Sequence, residues 1–446
     1  MEFYNKNILV CGIARSGISA SIMLKKLGAN VTIQDLKNEE NIENINILKD
    51  NKINLYLGKN PDNKLIDSMD MMIVSPGLPT DLDFIKYANS KIPVISEIEL
   101  AYLVCKAPII AVTGTNGKTT TTSLLGYILT NYKKTYVAGN IGTPFSHYAL
   151  DIEEDNIVAL ELSSFQLETI KTFKPIIASV LNITEDHLNR HKTMKNYIKA
   201  KERIFENQDE NDFLILNYDD LECRKMEERA KSKVIYFSTK QCIKKGAYLK
   251  DNYIYINDYP FINIDNIKIL GEHNMQNVMA AILMSICYNV PTDIIIESLK
   301  TFKAVEHRIE YVATKKGVDY YNDSKGTNID ATIKAINSMK KPTYLIIGGY
   351  EKNADFLPMI KAFKNKVKKA VIIGQVKERL AKDCEKLGFN DYVTKNSFFD
   401  AINYCYNNAK EGECVLLSPA CASFDMFKDY EERGNIFKRY VKDLKE

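Results

Sequence analysis

The chain has 446 residues, 45% of them apolar and 26% charged, with a formal net charge of +3. That length allows roughly three domains, and the absence of a lysine/arginine block argues against nucleic acid as a partner. No apolar run approaches the ~18–20 residues of a membrane helix, and MEFYNKNILVCGIARSG leads straight into a strand and a glycine turn, leaving no room for a signal peptide.

In chain order, NILVCG predicts a strand, SGISASIMLKKLG a helix ending at Gly28, and NVTIQD, MMIVSPG and IPVIS further strands. Strands alternating with helices predict a doubly wound α/β unit that ends near Ser96–Glu99. Its first turn runs from Gly12 to Gly17, with Asp35 closing the next strand. That arrangement suits a nucleotide with a diphosphate and a ribose, although Ala14 holds the second glycine position and a plain α/β turn would look similar. Ser75 and Gly77 form a second turn at a strand end, where ligands of such sheets usually sit.

The next segment opens with the strand PIIAV and the turn TGTNGKTT, followed by a helical stretch. Gly114 and Gly117 let backbone N–H groups face one anion. Lys118 can reach terminal phosphate oxygens, and the Thr119 hydroxyl can hold magnesium. Val112 stands where the full GxxxxGK[ST] pattern has its first glycine, so only GxxGKT remains. Strands at TYVAGN, NIVALELSS, IIASVLNI, DFLILN and KVIYFS follow, then short β-like pieces in AYLKDNYIYINDYPFINI and a long helix in GEHNMQNVMAAILMSICYNV. A third segment begins near Val305, with strands at VDYYND, TYLIIGG, KAVIIG and CVLLSP. The expected borders are 1–98, 99–304 and 305–446. Nine scattered cysteines without a CxxC pair read as reduced thiols. Of five histidines, His187 and His191 are spaced i,i+4, but Leu188 replaces the glutamate that HExxH needs.

VTGTNGKTT, AGNIG, LELSSFQLE, NITEDHLNRH, YIKAKERIFEN, GEHNMQN, EHRIE, NDSKGTN and LSPACASFD follow one another in an order and spacing that resembles the Mur ligase family. The resemblance covers nearly the whole chain. It implies an α/β protein of three domains, two Rossmann-like units flanking a central P-loop ATPase domain with a mostly parallel sheet. It further implies a cytoplasmic monomer whose small-molecule substrates are ATP, UDP-N-acetylmuramoyl-L-alanine and D-glutamate, with no nucleic-acid or membrane partner. A carboxylate is a poor electrophile; ATP converts it to an acyl phosphate, which the incoming amine attacks.

By the same resemblance, Gly114, Thr115, Asn116, Gly117, Lys118, Thr119 and Thr120 hold ATP, joined by Asn274, Asn277, Arg308 and Asp323, the last two closing over it from the third segment. Thr119, Glu161, His187 and Lys201 are the implied magnesium ligands, although neutral imidazole is not a preferred magnesium donor. Lys201 reads from its own helix as one solvated lysine among several; the family carries CO2 there as a carbamate, turning a cation into a metal-binding anion. Gly12, Arg15, Ser16, Asp35, Leu36, Ser75, Asn140 and His187 are the implied sugar-nucleotide residues, and Lys325, Thr327, Lys352, Ser423 and Tyr430 the amino-acid residues. Arg15 and Leu36 replace the residues better-known members use, and Tyr430 stands where the family usually has phenylalanine. The rival readings are another Mur-type ligase, a folylpolyglutamate synthase, a regulatory ATPase and, from the first segment alone, a dinucleotide dehydrogenase.

Overall fold

The computed structural model describes residues 3–43, 45–269, 271–303, 305–350, 354–364 and 366–445. Its strands form three sheets, and the architecture is mixed α/β with mostly parallel pairing. The first sheet holds β1 (Asn7–Cys11), β2 (Asn30–Asp35), β3 (Asn54–Leu57), β4 (Met71–Val74) and β5 (Val94–Ser96), all parallel, in the order β3-β2-β1-β4-β5. The second holds β6 (Ile109–Thr113), β7 (Thr135–Gly139), β8 (Ile157–Glu161), β9 (Ile177–Val180), β10 (Phe213–Asn217), β11 (Lys233–Ser238), β12 (Gly246–Lys250), β13 (Tyr253–Ile256) and β14 (Tyr259–Asn263). Their order is β14-β13-β12-β11-β10-β9-β6-β8-β7, parallel except for the antiparallel meander β12–β14. The third holds β15 (Glu310–Lys315), β16 (Val318–Asn322), β17 (Thr343–Gly348), β18 (Val367–Ile373), β19 (Tyr392–Thr394) and β20 (Cys414–Leu417), in the order β15-β16-β20-β17-β18-β19 with only β15 antiparallel.

The central strands are apolar almost without interruption because helices cover both faces of a parallel sheet. β6 (IIAVT), β8 (IVALE) and β20 (CVLL) are buried at every position. Each large aliphatic side chain so buried contributes about 1.5–3 kcal/mol. The helix expected in GEHNMQNVMAAILMSICYNV spans Glu272–Cys287. The meander matches the β-like pieces expected between 240 and 270. β3, β15 and β19 were not expected; they are short or half-exposed, and the alternation that marks a strand is weak in them.

The chain divides into two compact units, Met1–Asn266 with Gln276–Lys300, and Ile267–Met275 with Thr301–Glu446. In the first, one hydrophobic core runs from Phe3 and Val10 of the first sheet through Ile98 and Leu100 to Leu160 and Leu214 of the second. The predicted border near Ser96–Glu99 falls where the helix Glu97–Tyr102 begins, and both its glutamates are buried. The Glu99 carboxylate accepts the backbone N–H groups of Lys171, Thr172 and Phe173 at 2.7–3.0 Å. In the second unit, separate cores line the two faces of the third sheet. Strand order reverses beside β1, β6 and β17, which places a crevice at the carboxyl end of each sheet. All nine cysteines are free thiols. Among the described residues, no helix is long and apolar enough to cross a membrane.

Candidate active site

The turn after β6 starts the helix Lys118–Thr130, with Gly117 at its N-cap at φ 86°. Only glycine fits there: the backbone is left-handed, and a Cβ would collide with the Asn277 side-chain oxygen. Thr119 and Thr120 lie buried in the first turn of that helix. The loop is held from the segment after β9. Asn182 accepts the Asn116 N–H at 2.8 Å and donates to the Asn116 carbonyl at 3.0 Å. The Thr115 hydroxyl donates to Thr184 O at 3.1 Å and lies 3.0 Å from the Tyr197 hydroxyl.

Lysines converge on this loop. Lys118 Nζ donates to Gly114 O at 2.9 Å and to Thr115 O at 2.7 Å. Lys201 Nζ donates to the same Gly114 O at 2.7 Å. The solvated reading of Lys201 is thereby corrected: the residue is 2% exposed, with its nitrogen 4.7 Å above the Tyr197 ring. Its helix, Met194–Glu202, buries Tyr197, Ala200 and Lys201 on one face, a consequence of what packs there rather than of the local pattern. No carboxylate forms an ion pair with Lys201 among the described residues. Burial, reinforced by the Lys118 charge, pushes its amine well below the ordinary lysine range.

Glu161 ends β8, one strand over from β6, and is 1% exposed. One oxygen accepts Asn140 Nδ2 at 2.7 Å; the other, Oε2, is buried with no hydrogen-bond partner among the described residues. A buried carboxylate oxygen with nothing to bind is a place for a cation. Among the described residues no three His, Cys, Asp or Glu side chains gather as a metal group. The predicted ligand set does not need three, since a threonine hydroxyl and a modified lysine complete it. His187 stands at the N-cap of the short helix Leu188–His191 at φ 55°, half-exposed, with its ring 4.9 Å from Phe165 and Nε2 3.6 Å from Asp186.

At the first sheet, Gly12 has φ 100°, and a Cβ there would strike the Ser75 side chain. Ser75 Oγ donates to Gly12 O at 3.4 Å. Asp35, read as a ribose partner, turns its carboxylate onto its own sheet, accepting Ile13 N at 2.8 Å and Lys37 N at 3.0 Å. Arg15 and Leu36 are exposed and Ser16 is half-buried.

In the second unit Asp323 is buried; its carboxylate accepts the Ser418 hydroxyl at 2.7 Å and Ile309 N at 3.3 Å. Burial pushes its carboxyl up to about 7, against the pull of Ser418 and the Arg308 charge. Lys325 Nζ lies 5.2 Å over the Tyr430 ring, and Thr327 N donates to Lys325 O at 2.9 Å. Ser423 is buried just after the SPACA loop, and the predicted Lys352 lies outside the described residues. Asn274 and Asn277 are buried near the start of their helix.

Sequence reasoning did not single out Asn182, Tyr197, Ser418 or Arg433. Arg433 is fully buried and donates to Ser324 Oγ at 3.0 Å and Ser324 O at 2.8 Å, tying the NDSKGTN loop to the last helix. Asn182 and Ser418 stand inside quoted motifs, NITED and LSPAC, and that placement was the available signal.

Two family descriptions match the chain: "Mur ligase middle domain" over residues 112–285 and "Mur ligase, glutamate ligase domain" over 307–421. The chain is 46% identical to the UDP-N-acetylmuramoylalanine–D-glutamate ligase of Lachnoclostridium phytofermentans and 44% identical to that of Clostridioides difficile, each alignment covering 100% of both chains. Among solved structures it is similar to UDP-N-acetylmuramate-alanine ligase MurC from Thermotoga maritima (TM-score 0.64, 17% identity, 99% of this chain and 100% of that one). It is also similar to the MurF ligase of Thermotoga maritima in complex with ADP (TM-score 0.63, 18% identity, 92% and 95%).

Proposed function

Because the chain belongs to the Mur ligase family, we propose that it adds D-glutamate to UDP-N-acetylmuramoyl-L-alanine at the expense of ATP, in the cytoplasmic stage of peptidoglycan synthesis. The full-length relatives named for that reaction support the choice of amino acid. The observation that carries the chemistry is the convergence of Lys118 and Lys201 on Gly114 O, with the adjoining strand ending in Glu161, one of whose oxygens is buried with no hydrogen-bond partner among the described residues. On this reading the three sheets are the cores of three domains, 1–98, 99–304 and 305–446.

The backbone N–H groups of the Gly114–Thr119 loop and the helix N-terminus hold the phosphates of ATP, and the Lys118 ammonium neutralises charge that builds on the γ-phosphoryl group. A carboxylate oxygen of the sugar nucleotide attacks the γ-phosphorus and ADP leaves. The D-glutamate nitrogen then attacks the acyl carbon, and phosphate departs with the carboxylate oxygen. Thr119, Glu161, His187 and the modified Lys201 would hold magnesium, which supplies positive charge at the transferring phosphoryl group. Lys201 suits its modification: burial disfavours the charged ammonium and so favours the uncharged amine, the form that adds CO2 to give a carbamate and a released proton. Lys325, Thr327, Lys352, Ser423 and Tyr430 receive the amino acid, where an ammonium and hydroxyls suit a side-chain carboxylate.

The test is phosphate release from ATP with UDP-N-acetylmuramoyl-L-alanine and each candidate amino acid in turn. Release that requires the sugar nucleotide and rises only with D-glutamate is expected. Release with L-alanine, a diamino acid or a dipeptide instead reassigns the acceptor, and release with ATP alone contradicts the ligase reading.

A further inference from the structure

One polar cluster ties the first sheet to the second away from the phosphate loop. The loop that follows β4 carries Ser75 beside Gly12, at the carboxyl end of the first sheet. Arg190, in the helix Leu188–His191, reaches across to that loop. One guanidinium nitrogen donates to Leu78 O at 2.8 Å and to Glu168 Oε2 at 2.7 Å. The other lies 3.4 Å from both Pro76 O and Gly77 O. The guanidinium stacks 4.8 Å over Phe165, and the Arg190 side chain is 14% exposed. Phe165 also lies against His187, so the fork, the ring and the predicted substrate-binding histidine form one contiguous group.

Backbone carbonyls in an irregular loop have no ladder to satisfy them, and a planar fork can serve several at once where a lysine ammonium serves one point. We propose that Arg190 is a positioning residue for the sugar nucleotide. It fixes the Ser75–Leu78 loop of the first sheet against the turn that carries His187, and so sets the distance between the nucleotide end of the substrate and its reacting carboxylate. This rests on the sugar-nucleotide reading above. Glu168 holds the same guanidinium nitrogen that reaches Leu78 O. Among the described residues neither side chain hydrogen-bonds the Gly114–Thr119 loop, so binding of the adenine nucleotide is expected to be independent of both.

The test measures binding of UDP-N-acetylmuramoyl-L-alanine and of ADP, separately, to the full chain and to Arg190→Lys by calorimetry, with thermal melts alongside. Charge-assisted hydrogen bonds contribute about 1.5–3 kcal/mol, so Arg190→Lys is expected to lose about tenfold in sugar-nucleotide affinity while ADP affinity stays within about twofold. Glu168→Gln, which keeps the shape and removes the charge, is expected to lose about threefold for the sugar nucleotide alone, and it decides by the same criterion if Arg190→Lys does not fold. Unchanged sugar-nucleotide affinity, or equal losses for the two ligands, overturns the proposal. A wild-type chain that binds ADP but no sugar nucleotide overturns the functional reading itself.

Discussion

The two glycine turns of the first unit, after β1 and after β6, have the same local design and different surroundings. Each leaves a central parallel strand, needs a glycine in the left-handed region and starts a helix. The turn after β1 is satisfied by the ends of the neighbouring strands: Asp35 takes the Ile13 N–H and Ser75 donates to the Gly12 carbonyl, while Arg15 and Leu36 stay exposed. The turn after β6 is braced by Asn182 and Tyr197, draws two lysines onto one carbonyl, and leaves a strand whose neighbour ends in Glu161, with one oxygen lacking a hydrogen-bond partner among the described residues. A turn whose polar groups are met by neighbouring strand ends can hold a ligand by shape and hydrogen bonds. A turn onto which two lysines converge, next to a strand that ends in a buried carboxylate, is suited to handling phosphoryl charge.

The contrast predicts the largest effect at Lys118. Lys118→Ala removes the charge proposed to meet the γ-phosphoryl group, and kcat/KM for phosphate release should fall by at least about a hundredfold, with the fold retained by circular dichroism. A loss of tenfold or less would move the charge-stabilising role elsewhere.

Lys201→Met should separate stability from activity. Phosphate release should fall by about tenfold, less than for Lys118→Ala, because on the proposed reading no carbamate can form. The ligand-free chain becomes more stable, by about 1–2 kcal/mol, since burying a lysine amine is unfavourable. The sign with pH follows from the depressed native pKa: the unfolded lysine keeps its proton to higher pH than the native one, so wild-type stability contributed by this group falls as pH drops below the ordinary lysine value. The advantage of methionine should therefore shrink as pH rises toward 10, as read from urea midpoints across pH. An advantage that grows with pH would contradict the depressed pKa of the buried amine.

Much of this comparison was open to sequence reading. GTNGKT between an apolar strand and a helix is a local signal, and so are the runs that became β6, β8 and β20. Lys201 was not legible physically: MKNYIKAKE carries four charges, and only the loop carbonyl and the Tyr197 ring brought over it decide that it is buried. Asp35 was placed correctly at a strand end, but its hydrogen bond to Ile13 N depends on the register of β1 against β2, which no single segment encodes. Arg190 was invisible for the same reason, because its partners lie more than a hundred residues away at Pro76–Leu78.

The smallest expected effect belongs to the turn after β1. Asp35→Asn keeps one acceptor for the two backbone N–H groups that Asp35 now serves, and should lower stability by about 1 kcal/mol. The KM for the sugar nucleotide should rise severalfold and the KM for ATP should not move. Equal changes in both would show that the two turns are not functionally separate.

The central claim is that the turn after β6 transfers a phosphoryl group onto a carboxylate. UDP-N-acetylmuramoyl-L-alanine labelled with oxygen-18 in its carboxyl group, turned over with ATP and D-glutamate, tests it most directly by mass analysis of the released phosphate. One labelled oxygen per phosphate is predicted, because the carboxylate oxygen leaves with the phosphoryl group it attacked. Phosphate free of label, with the label retained in the amide product or washed into water, would contradict the account.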